Sequence, residues 1–239
     1  MDFAIIAAGE GSRLAKSGYP YPKPLARLNG IPLIERLIAI FAANGAETIH
    51  IIVNEESASL VDFLASYGGK VPIRVVQKST ESSLHSFYEL LKDIPTVNEL
   101  CATTVDTIFR EEEFRSYLQA FQGDKKLDAL MAVTPFVEDE SPLYVEVNET
   151  GDVVAFTDTK AGEAGILVSG GIYALRRKAL QCVDKAINNK VERMRNYQRL
   201  LLTERLSVKA FIFNKIIDID HLADLHLAEE WLNEEKISQ

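Results

Sequence analysis

Between Gly11 and Ile34 the chain carries four cations, Arg13, Lys16, Lys23 and Arg27, and no acid. The protein around them is acidic, with 26 Lys and Arg against 35 Asp and Glu, a net charge of −9. A local reversal of sign on that background is what a polyphosphate site requires. The basic stretch follows Ala7-Ala8-Gly9-Glu10-Gly11-Ser12, a glycine turn leaving the apolar run Phe3-Ala4-Ile5-Ile6. A turn at the end of a buried strand presents backbone N–H groups, here those of Ala8, Gly9, Gly11 and Ser12, to phosphate oxygens. A solvated basic loop would account for the charges but not for glycines placed at a strand end.

Two common phosphate loops do not fit. A dinucleotide fingerprint needs a third glycine where Leu14 stands, a helix starting at once, and an acid about 20 residues on. Pro20, Pro22 and Pro24 prevent a continuous helix here, and the acid is missing. The P-loop's Gly-Lys-Ser/Thr is also absent. Histidines offer no metal signature, since His221 and His226 lie five apart and off one helical face. His50, inside an apolar strand, reads as a satisfied core residue, and no nucleophile triad is suggested.

The elements that must position the loop alternate. Phe3–Ile6, Thr48–Val53, Val71–Val76 and Leu100–Val105 read as buried strands, the last ending at Asp106. Helical spacing runs through Leu33, Ile34, Leu37, Ile38 and Phe41, then over Ser57–Tyr67 and Ser83–Leu91. Repeated strand–helix units specify a parallel sheet covered on both faces. After residue 128 the rhythm changes. Ala129–Val133, Tyr144–Val147, Val153–Phe156 and Leu167–Leu175 are strands with no long helix between them, and Asn148–Asp152 reads as a hairpin turn. Helices return at Arg176–Asn188 and Arg193–Glu204, a strand at Val208–Phe213, and a last helix carries Leu222, Leu225, Ala228, Trp231 and Leu232.

Composition excludes several classes. With 47% hydrophobic and 26% charged residues the chain can bury a sizeable core. Its longest purely apolar run, Leu37–Ala43, is far short of the ~20 residues a membrane helix needs. Net negative charge argues against nucleic-acid and membrane partners. No signal peptide is apparent, and Cys101 and Cys182 sit in apolar segments, which points to reduced thiols in the cytoplasm.

The run A-A-G-E-G-S-R-L followed by P-K-P-L resembles the signature of the nucleotidyltransferases that activate sugar phosphates. That family comprises sugar-1-phosphate nucleotidylyltransferases (pyrophosphorylases) and related phosphocholine cytidylyltransferases. The resemblance extends over nearly the whole chain. It implies a three-layer α/β/α fold on a mostly parallel, Rossmann-like sheet of the nucleotide-diphospho-sugar transferase type, with a small antiparallel elaboration. Residues 1–239 would form one domain, with a nucleotide-binding half at 1–127 and an acceptor-binding half at 128–239. The implied reaction is Mg2+-dependent transfer of a nucleotidyl group from a nucleoside triphosphate to a phosphorylated acceptor, first a sugar phosphate. Alternatives are a cytidylyltransferase for a phosphorylated alcohol such as phosphocholine, or a regulatory domain that binds nucleotide without catalysis.

By the same resemblance Arg13 holds the triphosphate through its planar fork, and Lys23 sits between the two phosphates that must approach. Asp106 and Asp218 are the implied metal-binding pair. Ala8, Gly9, Gly11, Ser12, Arg13, Gln77, Ser82 and Ser83 would line the nucleotide, although Ser83 replaces a glycine of the family pattern and the spacing is one residue longer. Ser169-Gly170-Gly171-Ile172-Tyr173 resembles the sugar-pocket strand, which makes Gly171 and Tyr173 acceptor-binding candidates. Lys160 is a further one, one position late, without the proline that follows it in the family. Tyr144-Val145-Glu146 lacks the family's glycine. Asp220 is read as the N-cap of the last helix, and a serine-rich run such as Ser82-Ser83 is also simply a good helix start.

Overall fold

The computed structural model describes residues 1–234 except 10, 95, 139, 161, 163 and 164. Glu10 of the glycine turn thus lies outside the described residues. In chain order the elements are β1 (Asp2–Ala7), α1 (Ser12–Lys16), β2 (Arg27–Leu28), β3 (Ile31–Pro32), α2 (Leu33–Ala43), β4 (Ile49–Val53), α3 (Ala58–Ser66), β5 (Ile73–Gln77) and α4 (Ser83–Lys92). They continue with β6 (Glu99–Thr104), β7 (Thr107–Ile108), α5 (Glu111–Gly123), β8 (Ala129–Thr134), β9 (Tyr144–Val147), β10 (Val153–Thr157) and β11 (Val168–Arg176). The last are α6 (Arg177–Asn188), α7 (Met194–Thr203), β12 (Val208–Ile212), β13 (Ile217–Asp218) and α8 (Leu222–Asn233).

One sheet organises the molecule, in the order β10-β9-β11-β6-β1-β4-β5, with β8 on β11 and β12 on β8. Strand β1 is parallel to β4 and β6, and β5 continues the parallel run beyond β4. Strand β11 is antiparallel to β6, β8 and β9, and the β9–β10 hairpin extends that edge. The fold is therefore α/β in three layers, a largely parallel sheet with an antiparallel elaboration.

Period-two alternation divides the core. Phe3, Ile5 and Ala7 of β1 face Leu37, Phe41, Leu60, Phe114, Tyr117 and Trp231, whereas Ala4 and Ile6 face Leu84, Phe87, Cys182, Tyr197 and Leu201. Both faces are covered, which is why β4 is buried along its whole length and is apolar except at His50. Helix α5 has no counterpart in the sequence reading, although its signal is present. Three acids occupy its first turn, and Phe114, Tyr117, Leu118 and Phe121 follow helical spacing. The Tyr117 hydroxyl donates to the Leu130 carbonyl at 2.7 Å, satisfying the one polar atom this buried ring carries. His50 is buried as expected but not satisfied, since its Nδ1 finds no hydrogen-bond partner and its Nε2 lies 4.0 Å from Asp2. Burial holds its imidazole below the ordinary histidine pKa. Cys101 and Cys182 are both buried and unpaired. No helix among the described residues is long and apolar enough to cross a membrane.

Candidate functional site

Strand β1 delivers the chain to the glycine turn, and Gly11 takes a left-handed conformation (φ 60°) to start α1. A Cβ at Gly11 would stand 2.8 Å from Lys23 Cβ, so glycine is what allows the Lys23 backbone to pack against the turn. Pro22 and Pro24 frame Lys23 in a single 3-10 turn over Lys23–Leu25. Its Nζ reaches Asp106 Oδ2 at 2.7 Å and Asp220 Oδ1 at 2.8 Å. Arg13 Nη1 meets the other Asp220 oxygen at 2.5 Å. Burial opposes the Lys23 charge, but Asp106 and then Asp220 outweigh it, so its pKa stands well above that of an ordinary lysine. Burial likewise works against the Asp220 charge, and Lys23 with Arg13 overrides it, lowering the pKa.

Asp106 occupies the turn between β6 and β7. The short ribbon β7–β13 pairs Thr107 with Asp218, and Ile219 N–H donates to the Asp106 carbonyl at 3.0 Å. This ribbon brings the late acids beside the early one. Asp220 is not the N-cap it was expected to be. His221 holds that position, and Asp224 accepts from the Asp220 and His221 backbone N–H groups at 2.8 and 2.6 Å. With Asp224 satisfying the helix start, the Asp220 carboxylate is free to turn toward Lys23 and Arg13.

Two recesses meet at this point. One is lined by Ala8, Gly9, Gly11, Ser12, Lys23, Ser82, Ser83 and Asp106, together with Asn54, Thr80 and Ser86. The other is lined by Asp106, Gly171, Tyr173 and Asp218, together with Ser169, Arg193, Arg195, Gln198 and Asp220. Ser83, Thr104 and Asp106 belong to both, so Asp106 stands at the junction. Gly171 is left-handed (φ 73°), and a Cβ there would lie 2.9 Å from Thr107 Oγ1. Burial, with the Asp218 charge adding to it, pushes the Tyr173 phenol up, so it stays a neutral donor.

Gln77 and Lys160 are placed away from both recesses, Arg13 lines neither although it pairs with Asp220, and Ser82 lines the first while also serving a helix start. Gln77 donates from Nε2 to the Glu55 carbonyl at 3.0 Å and does not line the first recess. The Ser82 hydroxyl caps α4, accepting from His85 N–H at 3.4 Å, and also donates to the Glu192 carbonyl. Lys160 lines a separate recess with Tyr144, Glu146 and Val154. Conversely, the sequence reading does not reach Arg193, Arg195 or Gln198, and it gives Asp220 only the role of a helix cap. Arg195 is held by Asp158 and by the Ser141 carbonyl, each at 2.8 Å, contacts made across long sequence separations that spacing does not reveal. Among the described residues no group of three or more His, Cys, Asp or Glu is arranged to hold a metal ion. A hard cation needs only one or two carboxylates when phosphate and water complete its shell, and Asp106 and Asp218 supply that donor type in one recess.

A family model for the MobA-like NTP transferase domain matches residues 3–181. The chain belongs to that family. Among curated proteins, a bifunctional IPC transferase and DIPP synthase of Rubrobacter xylanophilus is 27% identical over 232 residues, covering 95% of this chain and 51% of the relative. The bifunctional protein GlmU of Methanocaldococcus jannaschii is 22% identical over 187 residues, 77% of this chain and 42% of that protein. The chain thus spans about half the length of these relatives. Among solved structures, the inositol-1-phosphate CTP transferase from T. maritima superposes with a TM-score of 0.78 at 20% identity, covering 98% of this chain and 96% of that one. A putative glucose-1-phosphate thymidylyltransferase from Bacillus anthracis gives 0.81 at 18% identity, with the same coverage. Both share the three-layer fold, and the chain is a member of a nucleotidyltransferase family.

Proposed function

We propose that this protein transfers a nucleotidyl group from a nucleoside triphosphate to a phosphorylated sugar or cyclitol, releasing pyrophosphate. The observation that carries the reading is the Lys23 ammonium, 2.7 Å from Asp106 and 2.8 Å from Asp220 where two recesses join. One recess offers the glycine turn to a triphosphate, and the other brings Arg193 and Arg195 toward an acceptor phosphate.

The acceptor's phosphate oxygen attacks the α-phosphorus and the bond to the bridging oxygen of pyrophosphate breaks. A phosphate monoester is already anionic at neutral pH, so the chain supplies alignment and charge neutralisation rather than a base. Lys23 stands between the two phosphates as a point charge, and Arg13 exchanges Asp220 for triphosphate oxygens. Asp106 and Asp218, with Asp220 beside them, would hold Mg2+. The bound ion supplies neutralisation of the triphosphate.

CTP is the first donor to test, because the T. maritima relative in fold is named as a CTP transferase. A phosphocholine acceptor is disfavoured. Tyr173 is the one aromatic ring among the described residues lining the second recess, whereas a quaternary ammonium is best held by a cage of several. Retention of Arg13, Lys23, Asp106 and Asp218 together speaks against a binding-only domain. The test is a panel of four nucleoside triphosphates against inositol 1-phosphate, glucose 1-phosphate and choline phosphate, read by pyrophosphate release with Mg2+. The expected outcome is turnover with a cyclitol or sugar phosphate, and silence across the panel overturns the reading.

A further inference from the structure

Helix α7 turns Met194, Tyr197, Gln198 and Leu201 inward, the spacing of an apolar stripe. Gln198 breaks that stripe, and it is only 2% exposed. A buried primary amide is unfavourable unless its groups are hydrogen-bonded, and a leucine would fill the same position without that requirement. The amide is instead built into the acceptor recess. Ser169 Oγ donates to Gln198 Oε1 at 3.0 Å. Tyr173 lines the same recess as Ser169, and burial keeps its phenol protonated.

The direction of the Ser169–Gln198 bond follows from counting protons. Ser169 has one, and it goes to Gln198 Oε1. With Oε1 oriented by Ser169, Nε2 is the donor end of the amide, carrying two hydrogens. Strand β11 loses its regular register on β8 between Ser169 and Tyr173, where Gly171 is left-handed, and both side chains come to line the same recess as Gln198 and Asp218.

We infer that Gln198, oriented by Ser169, is a specificity-determining residue that donates to a hydroxyl oxygen of the acceptor and so selects a polyhydroxylated phosphate. This rests on the reading of the second recess as the acceptor site. Choline phosphate presents only methyl groups at its far end and gives Nε2 nothing to bind. A site built to hydrogen-bond a hydroxyl discriminates strongly against a ligand that lacks one.

The test is calorimetric titration of the full chain, with CTP present, using inositol 1-phosphate, glucose 1-phosphate and choline phosphate. Gln198→Met, close in shape, should weaken the preferred hydroxylated ligand about tenfold or more, leaving choline phosphate binding and CTP affinity unchanged. Ser169→Ala, which releases Oε1 without touching the amide, should give a smaller loss of the same sign. Equal weakening of all three acceptors, a loss of CTP affinity in step with acceptor affinity, or no change in either variant overturns the inference. Binding of CTP with neither hydroxylated acceptor bound by the wild type overturns it too, while leaving the nucleotide site standing. Absence of CTP binding overturns the proposed function itself and the inference with it.

Discussion

On the proposed nucleotide side of Asp106, five lining residues, Ala8, Gly9, Gly11, Ser12 and Lys23, come from one short stretch of chain. On the proposed acceptor side, Ser169 and Tyr173 come from β11, Arg195 and Gln198 from α7, and Asp218 from β13. The first surface uses backbone N–H groups and single cations, which suit any triphosphate. The second uses side chains held by other side chains, Arg195 by Asp158 and Gln198 by Ser169. A local turn is enough to bind an invariant phosphate chain, whereas reading a variable acceptor takes a surface that can change residue by residue.

The largest expected effect comes from the residue that touches the boundary. Lys23→Met should lower the rate of pyrophosphate release by about 10²–10³-fold, the order associated with removing one preorganised charge contact to a transition state. It also leaves Asp106 and Asp220 without their shared ammonium. Steady-state kinetics in both substrates checks this. If only the acceptor KM rises while turnover holds, Lys23 belongs to the acceptor side and the division at Asp106 is misplaced.

That division also explains what the sequence makes legible. The turn, Arg13, Lys23 and Asp106 are visible because glycines, cations and a strand-ending acid follow one another at short spacing. The parallel sheet is visible because buried strands are apolar runs closed by turn residues. Asp220 is not visible as a site residue, because an acid before a helix is ordinarily a cap and only the backbone bonds of Asp224 reveal that the cap is elsewhere. Gln198 could have been found as the polar break in the 194-197-198-201 stripe. Arg195 could not, since its partners Ser141 and Asp158 are 54 and 37 residues away.

A smaller effect separates the two sides by stability as well as binding. Gly171→Ala forces a side chain into a left-handed backbone and sets its Cβ 2.9 Å from Thr107 Oγ1 and 3.3 Å from Thr104 Oγ1. The conformational term alone is about 1–2 kcal/mol, which for a chain of this size lowers Tm by roughly 2–8 °C. The acceptor KM should rise, because Ser169 and Tyr173 flank the kink, while CTP affinity is preserved. Thermal melts and paired titrations check both. An equal loss of CTP affinity would show that the Thr104–Thr107 hydroxyl pair, joined at 2.7 Å, transmits the disturbance across the junction.

The smallest effect is expected at Lys160. It follows Thr159, whose carbonyl accepts from Thr157 Oγ1 at 2.8 Å, and it lines the recess between the β9–β10 hairpin and Gly165–Leu167. Neither Asp106 nor Asp218 lines that recess, and no residue is shared with the one that holds Gln198. An ammonium on an exposed loop is screened by solvent and contributes little at a distance. Lys160→Ala should therefore change the acceptor KM by less than about twofold, measured at the same ionic strength as wild type. A tenfold rise would mean that the hairpin closes over the acceptor during turnover, and the acceptor surface would then extend from α7 and β11 to β9 and β10.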